Sequence, residues 1–174
     1  GIDVGGANVK VATEGGVETA YCPLWKGAPL VEARFRYRGE GGDGTAVVMS
    51  GELADCFSSK AEGIAWIVDA VKKVFPGALF LGTDGVFHRD PSPALAAANW
   101  FASALYLRTL HPRGLLVDMG STTTDIVPLS SPGHFRGLSD LSRLQRGYLL
   151  YTGLLRTPVP AAIIITCFGF VCVA

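Results

Sequence analysis

Asp3-Val-Gly-Gly-Ala-Asn-Val-Lys10 decides the fold, together with a second stretch of the same design, Asp118-Met-Gly-Ser-Thr-Thr-Thr-Asp125. Each follows an apolar run, places Asp two residues before Gly, and continues into small or hydroxylated residues. That order suits a β-hairpin whose turn wraps a phosphate. Glycines let the backbone approach the anion, backbone N–H groups point at its oxygens, and hydroxyls add donors. The Asp carboxylate is left for a metal ion or its waters. Two copies at strand-to-turn junctions predict a duplicated architecture, with a phosphate chain between two lobes and Asp3 and Asp118 facing one cleft.

Around the first turn, Ile2-Val4 and Val9-Thr13 read as strands, and Val17-Cys22 as a third. Leu24 to Arg38 is ambiguous, and Gly39-Glu-Gly-Gly-Asp-Gly44 is an exposed loop by composition. Ala46-Val-Val-Met-Ser50 is a buried strand. Ser59-x-x-Glu62 is a capping box, followed at spacings of three and four by Ile64, Ile67, Val68, Val71, Val74 and Phe75. Pro76-Gly77 ends that helix. Ala78 to Thr83 is the next strand. Ser92-Pro93 predicts the start of a second helix, which places Asn99-Trp100 in its middle and ends before Pro112. Gly114 to Asp118 feeds the second turn, and Thr124 to Leu129 returns antiparallel. Strands alternating with helices indicate α/β. The opening antiparallel hairpin argues against a Rossmann unit, which begins strand–helix.

The candidate site residues fall in four places. Asp3, Gly5, Gly6, Asn8 and Lys10 form the first phosphate turn, with Lys10 equally readable as a phosphate contact or a solvated strand residue. Asp118, Gly120, Ser121, Thr122, Thr123, Thr124 and Asp125 form the second. Hydroxyls between two Asp in an apolar context are costly when buried without partners, and a phosphate with its metal supplies them. Glu52 and Asp55 follow a buried strand, where carboxylates often face a cleft. They suit a cationic amine or a general base, and equally a solvated loop. Asn99-Trp100 reads as pocket lining or as core. His88, His111 and His134 form no nucleophile arrangement.

The 174 residues carry 15 basic and 15 acidic side chains, 22 Gly and nearly half apolar residues. This balance predicts a globular, cytoplasmic protein with neither nucleic acid nor membrane as partner. Cys22, Cys56, Cys167 and Cys172 have no metal-ligand spacing and read as buried thiols of a reducing compartment. The chain opens inside a motif and without Met. It closes on an uncharged apolar run, Val159 to Ala174, that is too short to span a bilayer. A truncated or frame-disrupted end is the preferred explanation. The expected organisation is a first lobe at 1–112, the start of a second at 113–162, and an anomalous tail at 163–174.

Five strings in one order now carry a resemblance: the first turn, Met49-Ser-Gly-Glu-Leu-Ala-Asp-Cys-Phe57, Ala98-Asn-Trp100, the second turn, and Tyr151-Thr-Gly-x-x-Arg-Thr-Pro158. Over about 1–162 the chain resembles the hydantoinase/oxoprolinase-related family of tetrahydromethanopterin-linked one-carbon transfer pathway proteins, which includes a methanofuran-biosynthesis enzyme. The resemblance implies a two-lobed fold of the actin, Hsp70 and sugar-kinase superfamily. It implies a transferase that joins an aminomethylfuran diphosphate to a tyramine-type amine and releases pyrophosphate. On that reading both turns hold the diphosphate with magnesium on Asp3, Asp118 and Asp125. Asp3, Glu52 and Asp118 are catalytic, and Asp55, Asn99 and Arg156 touch substrate. A homo-oligomer is compatible with it. A kinase-like phosphotransferase using ATP fits the two turns equally well, and a non-catalytic binding module is the third reading. Family members are about twice this length, so the chain alone is expected to fold poorly and to be catalytically silent.

Overall fold

The computed structural model describes residues 1–26, 44–120, 122–154 and 157, and the chain divides into two compact units, Gly1–Ala102 and Ser103–Ala174. The architecture is α/β. In the first unit, β1 (Ile2–Val4) turns into β2 (Asn8–Thr13), and β2 turns into β3 (Gly16–Tyr21), all antiparallel. β4 (Ala46–Met49) then returns to lie parallel to β1. Helix α1 (Lys60–Val74) crosses over to β5 (Leu79–Leu81), which is parallel to β4. A short β6 (Phe87–His88) closes the sheet antiparallel to β5, in the order β3-β2-β1-β4-β5-β6.

Alternation explains the strands and periodicity explains the helix. Ile2, Val4, Val47 and Met49 point into one core, and Ile64, Ile67, Val68 and Val71 of α1 pack on them. The Ser59 hydroxyl caps α1 by accepting the Glu62 N–H at 3.2 Å. The Glu62 carboxylate reaches back to the Ser58 N–H at 2.8 Å and to the Ser58 hydroxyl. These bonds hold the exposed Glu62 carboxyl below its ordinary value.

The second helix differs from its expected start. Ser92 and Pro93 open only a 3-10 turn, Pro93–Leu95, and α2 spans Asn99–Leu110. A helix running on from Pro93 needs the Ala98 N–H to bond the Ala94 carbonyl. Both groups are recruited elsewhere. The Ala94 carbonyl accepts the Thr83 N–H at 2.8 Å and the Thr83 hydroxyl at 3.2 Å, while the Ala98 N–H donates to the Met49 carbonyl at 3.1 Å. Ala97 between them takes a positive φ of 47°. Asn99 and Trp100 therefore open the helix instead of lying within it.

The boundary between the units falls within α2. In the second unit, β7 (Leu115–Met119) pairs antiparallel with β8 (Thr124–Pro128), and helix α3 (Asp140–Gln145) leads into β9 (Leu149–Leu150), which pairs with β8. Val127, Leu129, Phe135 and Leu149 are buried, and Phe135 meets Tyr148 edge-on with centroids 4.6 Å apart. Cys22 is buried, and burial pushes its thiol pKa up. Cys56 is exposed, contrary to the expectation of four buried thiols. Cys167 and Cys172, most of the loop at 39–44, and the whole tail at 163–174 lie outside the described residues. No described helix is long and apolar enough to cross a membrane.

Candidate functional site

The carboxyl ends of the parallel strands β1, β4 and β5 lie side by side along one edge of the first sheet. In α/β sheets that edge is where ligands bind. From β1 come Asp3 and the Gly5–Asn8 turn. The turn is closed by a bond from the Gly5 N–H to the Asn8 carbonyl at 2.9 Å. The segment after β3 braces it from behind: the Leu24 N–H bonds the Gly6 carbonyl and the Cys22 N–H bonds the Ala7 carbonyl, each at 2.9 Å.

Beside this turn, β4 delivers Ser50, Gly51 and Glu52. Ser50 and Gly51 both donate their N–H groups to the Val4 carbonyl, at 2.9 and 3.1 Å. Glycine is required here by space. A Cβ on Gly51 would stand 2.9 Å from the Gly5 carbonyl oxygen, and a Cβ on Gly63 of α1 would collide with the Glu52 carbonyl. Three backbones are thus layered: the β1–β2 turn, the loop after β4, and the first turns of α1. Gly6 differs, because a Cβ there meets nothing within 4 Å. Its face of the turn is open to an approaching group.

The side chains on this edge divide by exposure. Asp3 and Lys10 are cross-strand partners and form an ion pair at 2.9 Å through Asp3 Oδ2. The other carboxylate oxygen, Oδ1, is buried and has no hydrogen-bond partner. Glu52 is buried, whereas Asp55, further along the same loop, is exposed. Asn99 is brought to the edge by the bond from Ala98 to Met49, and Trp100 beside it is buried in edge contact with Phe101. Sequence reasoning missed one group. Asp84, just past β5, accepts the Val86 N–H at 3.0 Å and pairs with His88 Nε2 at 2.9 Å. Gly82 lies under that pair, where a Cβ would stand 2.5 Å from Asp84 Oδ1. The signal was available as Asp84-Gly85 directly after a strand.

The second turn lies in the second unit. Asp118 and Asp125 are cross-strand partners in β7 and β8. The Gly120 N–H closes the turn on the Thr123 carbonyl at 2.8 Å. The segment after β9 clasps it: the Thr124 hydroxyl donates to the Thr152 carbonyl at 2.6 Å, and the Leu154 N–H donates to the Gly120 carbonyl at 3.0 Å. Thr124 is buried, and Thr122 and Thr123 are half-buried. Asp125 is buried in an ion pair with Arg143 of α3, a second residue that sequence reasoning missed. Burial pushes the Asp125 carboxyl above its ordinary value, and the guanidinium pulls it back. Ser121 and Arg156 lie outside the described residues.

The hydantoinase/oxoprolinase family model matches residues 43–140, more than half of the 174. The chain belongs to the hydantoinase/oxoprolinase family. The matched range of this family member holds Glu52, Asn99 and the second turn. The first turn precedes it. A Methanocaldococcus jannaschii protein named (4-{4-[2-(gamma-L-glutamylamino)ethyl]phenoxymethyl}furan-2-yl)methanamine synthase is 36% identical over 170 residues, covering 91% of this chain and 52% of the relative. The synthase of the same name from Methanococcus vannielii is 53% identical over 45 residues, covering 26% of this chain and 20% of the relative. The chain thus spans about half the length of the longer match.

The donor set on the first edge fits a hard cation in one respect. Magnesium is usually held by one or two carboxylates, its own waters and substrate phosphates. Asp3 Oδ1, buried and unpartnered, is one such oxygen. Among the described residues no three His, Cys, Asp or Glu side chains gather as a full metal cage. Asp125 is already engaged by Arg143.

Proposed function

We propose that this chain is part of a transferase of methanofuran-type cofactor biosynthesis, which condenses an aminomethylfuran diphosphate with a tyramine-type acceptor. The observation that carries this reading is the 36% identity over 91% of the chain to a synthase whose named product is a phenoxymethyl-furan methanamine. That product contains an aryl ether. Its formation joins the acceptor's phenol oxygen to the furan methylene carbon. The carbon–oxygen bond to diphosphate breaks, the electron pair leaves with pyrophosphate, and the phenol proton passes to a base.

In such a displacement the protein's main task is to stabilise charge growing on the departing diphosphate. In this reading Gly5, Gly6 and Asn8 present the first turn to its oxygens, and Lys10 is a point charge beside it. Gly120, Ser121, Thr122 and Thr123 of the second turn would offer backbone and hydroxyl donors to such an anion, and Thr124, whose hydroxyl donates to the Thr152 carbonyl, braces that turn. Asp3 on the first turn, and Asp118 and Asp125 on the second, would each offer a carboxylate to magnesium, which when bound would neutralise diphosphate charge. Asp3 and Lys10 together keep the turn's local charge balanced in its absence. Glu52 is the base, Asp55 and Asn99 contact the amine substrate, and Arg156 contacts substrate from the later motif. The fold is the actin-like superfamily lobe, supported by the sheet order β3-β2-β1-β4-β5 with only β2 antiparallel to its neighbours among these five. The reaction belongs to the cytoplasm.

Calorimetry of the 174-residue chain with magnesium pyrophosphate tests the site. Asp3→Asn is expected to lower affinity at least tenfold while leaving the thermal midpoint nearly unchanged, because an ion pair whose Lys10 end stands in solvent contributes only about 0–1 kcal/mol. Equal binding by the variant would overturn the role of Asp3. A polypeptide of the relatives' full length, given furan diphosphate and a tyramine-type acceptor, is expected to release pyrophosphate. Turnover of ATP in its place would overturn the condensation reading in favour of a kinase-like phosphotransferase.

A further inference from the structure

Asp3 and Lys10 stand opposite each other in the β1–β2 ladder, so their side chains leave the sheet on one face. Their neighbours on that face carry no charge. Val48 flanks Asp3 from β4, and Thr19 flanks Lys10 from β3. One step along β2 in each direction, Asn8 is paired with Tyr21 and Ala12 with Val17. Among the described residues of β1 to β4, Lys10 is therefore the one cationic side chain on the face of Asp3. The two carboxylate oxygens differ in condition. Lys10 Nζ holds Oδ2 at 2.9 Å, while Oδ1 is shut away from solvent without a hydrogen-bond partner. A cation arriving from water thus meets the Lys10 ammonium before it gains a free carboxylate oxygen. The Lys10 side chain is 54% exposed on a flexible four-carbon stem, so its ammonium can turn away without disturbing the core. It lies two residues from Asn8, at the end of the Gly5–Asn8 turn, which is about 7 Å along a strand.

We propose that Lys10 is an exchangeable counter-ion that makes the first turn take a divalent metal and a diphosphate together and bind either one poorly alone. This rests on the reading of the turn as the diphosphate site. Without ligand, the ammonium neutralises Asp3. A dication arriving alone has to share the carboxylate with Lys10, and the like charges repel at short range. A diphosphate arriving alone meets Lys10 but also the Asp3 carboxylate. When both arrive, Lys10 turns from Asp3 Oδ2 to a phosphate oxygen, and the carboxylate it releases is free for the metal. Each ligand removes the obstacle to the other, and such a coupling is reciprocal.

The test uses the 174-residue chain with manganese(II), whose free concentration is read by electron paramagnetic resonance, and with pyrophosphate, read by calorimetry. Wild type is expected to bind manganese at least tenfold more tightly when pyrophosphate is present, after correction for the complex the two form in solution. Lys10→Met and Lys10→Gln uncover Asp3. Both are expected to bind manganese alone at least tenfold more tightly than wild type and to keep less than threefold coupling, whereas Lys10→Arg keeps the wild-type pattern. Adding Asp3→Asn to Lys10→Met should abolish the gain in manganese affinity. Circular dichroism checks that each variant is folded, and the wild-type titrations decide the coupling without any variant. Equal manganese affinity of wild type and the neutral variants would overturn the role of Lys10, as would a gain that survives Asp3→Asn. Independent binding of manganese and pyrophosphate to wild type would overturn the coupling and leave the phosphate turn standing. A wild-type chain that binds neither, together or apart, would remove the turn as a diphosphate site and the proposal with it.

Discussion

At the residue scale, the two kinds of glycine on the first sheet edge make opposite demands. Gly63 has no room for a methyl group, because the Glu52 carbonyl occupies that space. Gly6 has room, and its backbone is left free to approach a phosphate. Gly63→Ala should therefore cost about 1–3 kcal/mol or more in urea unfolding, in the range of overpacked cores. Gly6→Ala should leave the unfolding midpoint nearly unchanged and weaken pyrophosphate binding. The reverse order of stabilities would show that the loop after β4 is not layered between the turn and α1. The Asp3-x-Gly-Gly string was legible as a turn because its neighbours in sequence are its neighbours in space. The need for glycine at Gly63 was not, because it depends on a residue in another element. His88 was invisible as a partner of Asp84 for a related reason: only the hairpin between β5 and β6 brings them together.

At the element scale, α1 was readable almost completely. Its cap, its apolar stripe and its stop are all local. Ser59→Ala should destabilise the protein by about 0.5–2 kcal/mol, the usual worth of such a cap. The Glu62 carboxyl adds a pH dependence whose sign follows from its lowered pKa. The folded chain binds this proton less readily than the unfolded chain, so its contribution is present above the ordinary glutamate value and is lost as pH falls through the folded value. Glu62→Gln should lie below wild type in stability at neutral pH and converge with it in acid. A constant gap across the acid range, measured by urea titrations, would contradict this. The start of α2 was not readable. Ser92-Pro93 is a sound local start signal, but Thr83 and Met49 take the two groups that the first helical bonds require. No periodicity within residues 92–110 encodes those competitors.

At the scale of the whole molecule, the chain is two units with different kinds of interior. The first buries aliphatic strands under an amphipathic helix, whereas the second places an ion pair beside its small core. Arg143→Met should cost the second unit about 3–5 kcal/mol, the typical penalty for leaving a buried charge without its partner. The cost should shrink in acid. Without the guanidinium, the Asp125 carboxyl rises further above its unfolded value, so the folded state holds its proton more tightly and stability falls as pH rises. Hydrogen exchange should show the loss in β7, β8 and β9 and leave the β1–β4–β5 core protected. A uniform loss would show that the two units unfold as one.

The sheet order also sets a timetable for synthesis. β1, β2 and β3 are consecutive hairpins, which close in roughly 1–10 μs once exposed. The other edge of β1 waits for residues 46–49, and a ribosome adds only about 5–20 residues per second. For a second or more the nascent meander stands outside the exit tunnel with the Ile2–Val4 edge bare. Chaperone capture or aggregation of ribosome-stalled chains should therefore peak for stalls before β4 and fall sharply once β4 and α1 have emerged.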